Sequence, residues 1–326
     1  MKLPVVLFIF RRVDTLAAIA ERIKKYNPPI IYVYGDGPRH SAEVADVEGA
    51  REAVRRLFEG FNVVYDFSEN NRGVKENIGG GALKTFEKEK NAIFLEDDNL
   101  PSESFFGYCE ELIHFHKNND DVIWICGTNY LGAKYKDSDQ SYFYTKNLLP
   151  CGWASWSHKF TKYYDINLTS LNDSAMEVVK NNYKHKNLMR QEVQSIYQTF
   201  LRIKDNSASA SWDRQMNYAL RFHNKLGIMP KVNLIKNIGA DRFSVHGGTS
   251  TDKEMTSRFC EIKNENLNFP LNHPVLQRID YDIENEVSNI ILQPLKIRIM
   301  REIARILKRI LFLDPNASLL EFLRKP

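Results

Sequence analysis

Glu96, Asp97 and Asp98 stand side by side in the stretch FLEDDNLP, behind an apolar run and ahead of Pro101. Three neighbouring carboxylates repel one another, and burying any of them is costly. Such a group is stable in open solvent or around a cation. Hard divalent ions accept crowded oxygen ligands; magnesium or manganese takes one or two carboxylates and completes its shell with phosphate oxygens and water. The cluster directly follows AIFL, which reads as a buried strand, and ligands in open α/β sheets gather beyond the carboxyl ends of strands. That position favours a divalent cation and a diphosphate over a solvated acidic turn.

Other residues could do chemistry, and each has a plainer reading beside it. Asp213 opens the helical run DRQMNYALRFHNKL. It is either a helix N-terminal acid stabilised by the dipole or a carboxylate able to take a proton from a hydroxyl. Trp153 and Trp156, next to Gly152, suit either a core or the face of a sugar ring. His246, followed by Gly247 and Gly248, is a solvated loop histidine or a metal ligand. Glycines in NNRGVKENIGGG precede a helical pattern and could cradle phosphate. The GxxxxGK[ST] spelling is absent, which excludes a P-loop.

These residues hang on alternating short apolar runs and longer amphipathic ones. PVVLFIF, IIYVYGDG, NVVYDF, NAIFLEDD and DVIWICG read as strands. Between them fall helical patterns: one from Asp14 as N-cap, one capped by Ser41 and stopped near Gly60, one growing out of the glycine-rich turn, and SESFFGYCEELIHFHKN. Strands buried on both faces and separated by helices imply a mostly parallel sheet flanked by helices. In that arrangement Arg11, Asp36, Asp66 and the 96–98 cluster reach one rim. Beyond about residue 140 aromatic and polar residues dominate, as in YFYTKNLLPCGWASWSHKF, and a strand-like IMPKVNLI precedes NIGADRFSVHGGTST. Residues 1–275 read as one domain, with a nucleotide-binding part over about 1–130 and an acceptor part over about 131–275.

Residues 276–326 read as a helical tail. Within it, 296–312 carries six basic residues against one acid, a net +5, so the rest of the 326-residue chain sums to −1. Isoleucines and leucines at 299, 303, 306, 307, 310 and 311 form a stripe beside that charge. A basic amphipathic helix suits an anionic membrane surface; a helix packed on the domain is the alternative. Phe312 is the lone aromatic residue in that segment, and the lack of a set of stacking groups argues against nucleic acid. The apolar start, MKLPVVLFIFRR, is short and has no small-residue cleavage site, so it reads as a first core strand. Four scattered cysteines without a CxxC pair exclude a finger-type zinc site and fit a reducing compartment. The expected location is cytoplasmic, peripheral on the inner face of the membrane.

A strand followed by EDD, with Pro101 close behind, resembles the acidic metal motif of nucleotide-sugar glycosyltransferases of the GT-A fold. Their general signature is Asp-x-Asp, and the spelling here is similar to that of N-acetylglucosaminyltransferase I-like enzymes and a group of bacterial family 2-like transferases. The order of elements from residue 4 to about 250 carries the same resemblance. It implies a GT-A-like (Rossmann-like) fold with Mn²⁺ or Mg²⁺ held by Asp98 and His246, and Glu96 and Asp97 in support. By resemblance LFIFRRVDTL puts Arg11, Arg12 and Asp14 at the base and ribose, and VYGDG puts Asp36 there. Arg72 and Lys75 fall near the phosphates, and CGWASW puts Gly152 and Trp153 over the donor sugar. SWDRQ offers Asp213 as the catalytic base. The implied activity is transfer, with inversion, from a nucleotide-diphosphate sugar, a UDP-sugar by preference, to a glycan or lipid-linked acceptor in cell-surface polysaccharide biosynthesis. Two other classes stay open: a sugar-nucleotide nucleotidyltransferase, whose glycine-rich loop after the first strand is missing here, and a non-catalytic membrane-associated glycan-binding protein.

Overall fold

A computed structural model describes residues 2–240 and 254–311. Strands β1 (Val5–Ile9), β2 (Ile31–Gly35), β3 (Val63–Phe67) and β4 (Asn91–Glu96) alternate with α1 (Leu16–Tyr26), α2 (Val44–Leu57) and α3 (Gly81–Phe86). Next come β5 (Asn99–Pro101), α4 (Phe105–Phe115), β6 (Val122–Cys126), β7 (Tyr142–Thr145) and β8 (Trp153–Trp156). The remainder is α5 (Ser157–Tyr163), α6 (Asp173–Asn181), α7 (Lys186–Lys204), α8 (Asp213–Phe222), β9 (Leu226–Pro230), β10 (Ile235–Asn237), α9 (Glu254–Phe259), α10 (Tyr281–Ile291) and α11 (Leu295–Ile310).

Eight strands form one sheet in the order β3-β2-β1-β4-β8-β6-β9-β7, while β5 and β10 pair separately. The pairs β3–β2, β2–β1, β1–β4 and β6–β9 are parallel. β8 runs antiparallel to both its neighbours, β4 and β6, and β7 runs antiparallel to β9. Six strands therefore point one way, and the α/β architecture with a mostly parallel sheet between helices is borne out.

Alternation along each strand divides the core into two layers. Val5, Leu7 and Ile9 pack with Leu16, Ile19 and Ile23 of α1, Val54 of α2 and Leu112 of α4. Val6, Phe8 and Phe94 face the other way, onto Ala82 of α3, Phe160 of α5, Met216 and Leu220 of α8 and Val287 of α10. A third cluster joins α6 and α7 to Tyr218 of α8. α10, inside the expected tail, thus packs in the same layer as α8. α11 does form a helix, and its stripe is exposed: Ile299 is 50%, Ile303 52%, Ile306 49% and Ile310 63% accessible. Among the described residues no helix is long and apolar enough to cross a membrane.

Three local expectations change. The N-cap of α1 is Thr15 rather than Asp14, and its hydroxyl does not cap the helix; it donates to the backbone carbonyl of Asp97. α2 begins at Val44, after a 3₁₀ turn over Ser41–Glu43, so Ser41 is not its cap. The glycine run lies inside a helix: Lys75–Gly80 is a π-helical turn that continues into α3. A Cβ on Gly81 would come within 2.9 Å of the Phe8 ring and 3.1 Å of Tyr34. That close helix–sheet approach, and not a phosphate cradle, is what glycine permits there.

Candidate active site

β1 and β4 are neighbours with Phe8 opposite Glu96, so the segments that follow them share one corner of the rim. Asp97 turns back onto the first of these. Its Oδ2 accepts the Phe10 amide at 3.0 Å and its Oδ1 accepts Arg12 Nη1 at 3.0 Å. Arg12 also lies 3.4 Å from Asp98 Oδ2 and donates to the Gly239 carbonyl at 3.5 Å. Asp98 accepts the Asn99 side-chain amide at 2.6 Å. The Asn99 side-chain oxygen, Oδ1, accepts the backbone amides of Gly152, at 2.9 Å, and Glu96, at 3.4 Å. The pairing of β5 with β10, Asn99 opposite Asn237, clamps the turn from the other side.

This packing crowds negative charge. Burial pushes the Glu96 carboxyl well above the usual carboxylate range, and Asp98, Asp97 and Asp213 push it further. Burial also raises Asp97, against the pull of Arg12. That Asp213 acts on Glu96 brings a carboxylate from a different element to the same cluster. Asp213 opens α8; Ser211 donates its hydroxyl to Oδ1, and Arg214 Nε lies 3.8 Å from Oδ2. Arg214 is anchored in turn by Glu192, a buried side chain on α7 that also accepts the Asn217 amide at 2.6 Å. Cys151 borders the cluster, but burial and the nearby Glu96 and Asp98 raise its thiol far above the range of a reactive thiolate.

Among the described residues no three His, Cys, Asp or Glu side chains converge as a metal cage. The donor set, crowded carboxylate oxygens at a strand end, does not match structural zinc. It fits a hard cation that takes one or two carboxylates and draws its other ligands from water and phosphate. His246 lies outside the described residues.

The other sequence candidates are placed as follows. Arg11 pairs with Glu43, a buried carboxylate that also binds Arg39. Asp14 is exposed. Asp36 is buried with both oxygens engaged: Oδ1 accepts the amides of Gly37 and Arg72 at 2.8 Å, and Oδ2 accepts Gly73 N and the Asn71 side chain at 3.0 Å. Arg72 reaches Asp66 at 3.0 Å and the Gly35 carbonyl at 3.4 Å. Lys75 donates to Asn167 at 3.0 Å and pairs with Glu76. Gly152 has φ +62°, and a Cβ there would sit 2.5 Å from Ile235, so its place in the site is structural as well as local.

Trp153 does not meet the expectation of a sugar-stacking ring. It is 1% exposed, stacked on Phe94 at 3.8 Å and on Trp124 at 4.3 Å, in the middle of the second core layer. No ring face is left for a ligand. Sequence reasoning missed Thr15, Asn99, Glu192 and Arg214. The only available signal was adjacency: Asn99 and Arg214 directly follow Asp98 and Asp213.

No protein-family model and no curated protein matches the sequence. Among solved structures, the chain is similar to a galactosyltransferase, LgtC, in complex with donor and acceptor sugar analogues: 16% identity, TM-score 0.31, covering 50% of this chain and 61% of that one. It is also similar to a UDP-glucose pyrophosphorylase complexed with UDP-glucose, at 7% identity and TM-score 0.36, covering 73% and 94%. Scores this low carry no weight for fold or function.

Proposed function

We propose that this chain is a GT-A-like glycosyltransferase that moves a sugar from a nucleotide-diphosphate donor, a UDP-sugar by resemblance, to a hydroxyl of a glycan or lipid-linked glycan. One observation carries the reading: Glu96 ends β4 with Asp97 and Asp98 directly behind it, beyond the carboxyl end of a mostly parallel sheet, and Asp213 at the start of α8 is near enough to push the Glu96 carboxyl up. Asp98 and His246 would hold Mn²⁺ or Mg²⁺, which when bound offsets the charge of a diphosphate leaving group. Asp97 is spent on Arg12 and the Phe10 amide, so its work is to shape the turn. Asp213, steadied by Ser211 and Arg214, takes the proton of the acceptor hydroxyl as its oxygen attacks the anomeric carbon. The bond from that carbon to the diphosphate breaks on the opposite side, which inverts the centre.

The segment between β1 and α1, Phe10–Thr15, contains no glycine, which favours sugar transfer over a nucleotidyltransferase with a glycine-rich phosphate loop. The deciding experiment incubates the full chain with a panel of nucleotide sugars and Mn²⁺ or Mg²⁺, and follows release of the nucleoside diphosphate. Metal-dependent release that is lost in both Asp98→Asn and Asp213→Asn supports the reading. Formation of a nucleoside triphosphate from nucleotide sugar plus pyrophosphate would make the chain a nucleotidyltransferase. No turnover of any donor would favour a glycan-binding protein.

The same reading includes a partner. We take α11 to lie on an anionic membrane surface, on the cytoplasmic side, where lipid-linked acceptors would be presented. Its exposed isoleucines and its basic residues support this.

A further inference from the structure

At the other end of the sheet lies a second polar cavity. β6 and β4 point the same way because both run antiparallel to β8, and β9 is parallel to β6. Thr145 pairs with Gly227 near the start of β9, so Lys146 stands at the amino ends of the parallel strands, on the edge opposite the carboxylates. A cavity of about 270 Å³ opens there between α8, α10 and the link from α6 to α7. Lys146, Lys184 and Arg221 line it, with Glu284 as the lining carboxylate.

The cations are poorly matched by that one acid. Among the described residues Lys146 donates to neutral amides, Asn182 at 2.7 Å and Asn224. Glu284 accepts the Thr145 hydroxyl at 2.5 Å and the Lys146 backbone amide at 3.0 Å, and lies 3.8 Å from Arg221. Arg221 is 4% exposed and stacked 3.8 Å over the Tyr183 ring; Nη1 donates to the Asn182 carbonyl at 2.7 Å and Nη2 to Asn147 Oδ1 at 3.1 Å, while its buried Nε has no partner among the described residues. His185 Nδ1 accepts the Leu188 amide, and its Nε2 lies 3.1 Å from Asn289 Oδ1. Partly buried cations in excess, with an unmet guanidinium N–H, are costly unless an anion completes them. The rest of the lining is mostly amide and tyrosine, including Asn181, Asn285 and Tyr281, with Ile279 and Ser288 beside them. Amides both donate and accept, as sugar hydroxyls require. The volume is below the range of about 300–1,000 Å³ typical for larger ligands, which suits a single ring.

We propose that this cavity is a second ligand site, for an anionic sugar unit, a monosaccharide bearing a carboxylate or a phosphate. It is independent of the transfer chemistry at the carboxylate rim. α8 connects the two places: Asp213 opens the helix and Arg221 sits eight residues later, about 12 Å along its axis.

The test is calorimetric titration of the full chain, without nucleotide or added metal, with glucuronic acid and with glucose 6-phosphate; glucose and inorganic phosphate are the controls. The expected result is saturable binding of at least one anionic sugar, roughly tenfold or more tighter than either control. Lys146→Gln and Lys184→Gln should each weaken it by about tenfold while the melting temperature holds. Lys184 is exposed, so its variant keeps the test open if loss of Lys146 disturbs packing. Absence of saturation by both sugars, or unchanged binding in both variants, overturns the proposal. Phosphate binding as tightly as glucose 6-phosphate, with glucuronic acid silent, overturns the sugar assignment. Because no donor or metal is present, failure here leaves the glycosyltransferase reading standing.

Discussion

Arg12 and Asp97 form an ion pair across the rim, 3.0 Å between Nη1 and Oδ1, with side chains 16% and 7% exposed. The pair ties the segment after β1 to the turn after β4. It also separates the work of three adjacent carboxylates, since Asp97 is turned inward and held while Asp98 is the less buried of the two.

Asp97→Asn should therefore be a stability variant. It takes the charge from the nearer of the two carboxylates beside the Arg12 guanidinium, Asp98 remaining at 3.4 Å, at a cost of about 1–3 kcal/mol. Asp98→Asn should leave the melting temperature within a few degrees and lower metal-dependent donor turnover by on the order of a thousandfold. Thermal unfolding and steady-state kinetics on the two proteins check both. Equal loss of stability would remove the distinction.

Asn99→Ala removes the side-chain oxygen that accepts the Gly152 and Glu96 amides, together with a donor to Asp98. The expected stability loss is about 1–3 kcal/mol. Turnover should fall by about a hundredfold, because Asp98 loses the Asn99 amide that orients it. Asn99→Asp, which keeps the acceptor for Gly152 but adds a fourth carboxylate, should restore less activity than stability. Kinetics and urea unfolding side by side would show that split.

Acid stability should fall in two steps. Burial holds the His116 imidazole down to about 4. A base whose folded pKa lies below its unfolded value binds more protons unfolded, so its contribution is complete above about 6.5 and is lost as pH falls toward 4. Hydrogen bonding from Arg39 holds Glu43 down to about 2. Its contribution is present above the unfolded value of 4.5 and is lost as pH falls toward 2. His116→Gln should flatten the upper window and Glu43→Gln the lower one in a series of denaturant melts.

Cutting the chain after residue 293 removes α11 and leaves α10 packed through Ile283 and Val287. Full-length protein should float with vesicles containing anionic phospholipid, and float less as salt rises. The shortened protein should stay at the bottom of the gradient. Equal flotation of the two would sink the membrane reading of α11.

What could be read from sequence follows what burial leaves visible. β1, β2, β4 and β6 are apolar on both faces, so each appears as an unbroken run. β8 is four residues long and spelled WASW, and its antiparallel course depends on neighbours far away in the chain. The glycines at 79–81 look alike whether they cradle phosphate or admit an aromatic ring, and only Phe8 and Tyr34 decide. Trp153 posed the same ambiguity, and its stacking between Phe94 and Trp124 resolved it. The acidic cluster was legible because like charges side by side need a reason. Asn99 and Glu192 were not, since their importance lies in what they hold: an amide beside Asp98 and a carboxylate beneath Arg214.

The place of β8 between β4 and β6 has a consequence for how the chain folds. A nascent chain of about 126 residues can assemble the strands β3-β2-β1-β4, yet β4 and β6 cannot complete the sheet until Trp153–Trp156 arrives. Until then two apolar strand edges stay open, the condition under which partly folded chains associate with one another. The Asn99–Gly152 bond forms in the same step. Closure of the sheet and completion of the acidic turn are thus one late, long-range event, and variants that weaken β8 packing should show slow refolding together with delayed recovery of metal-dependent activity.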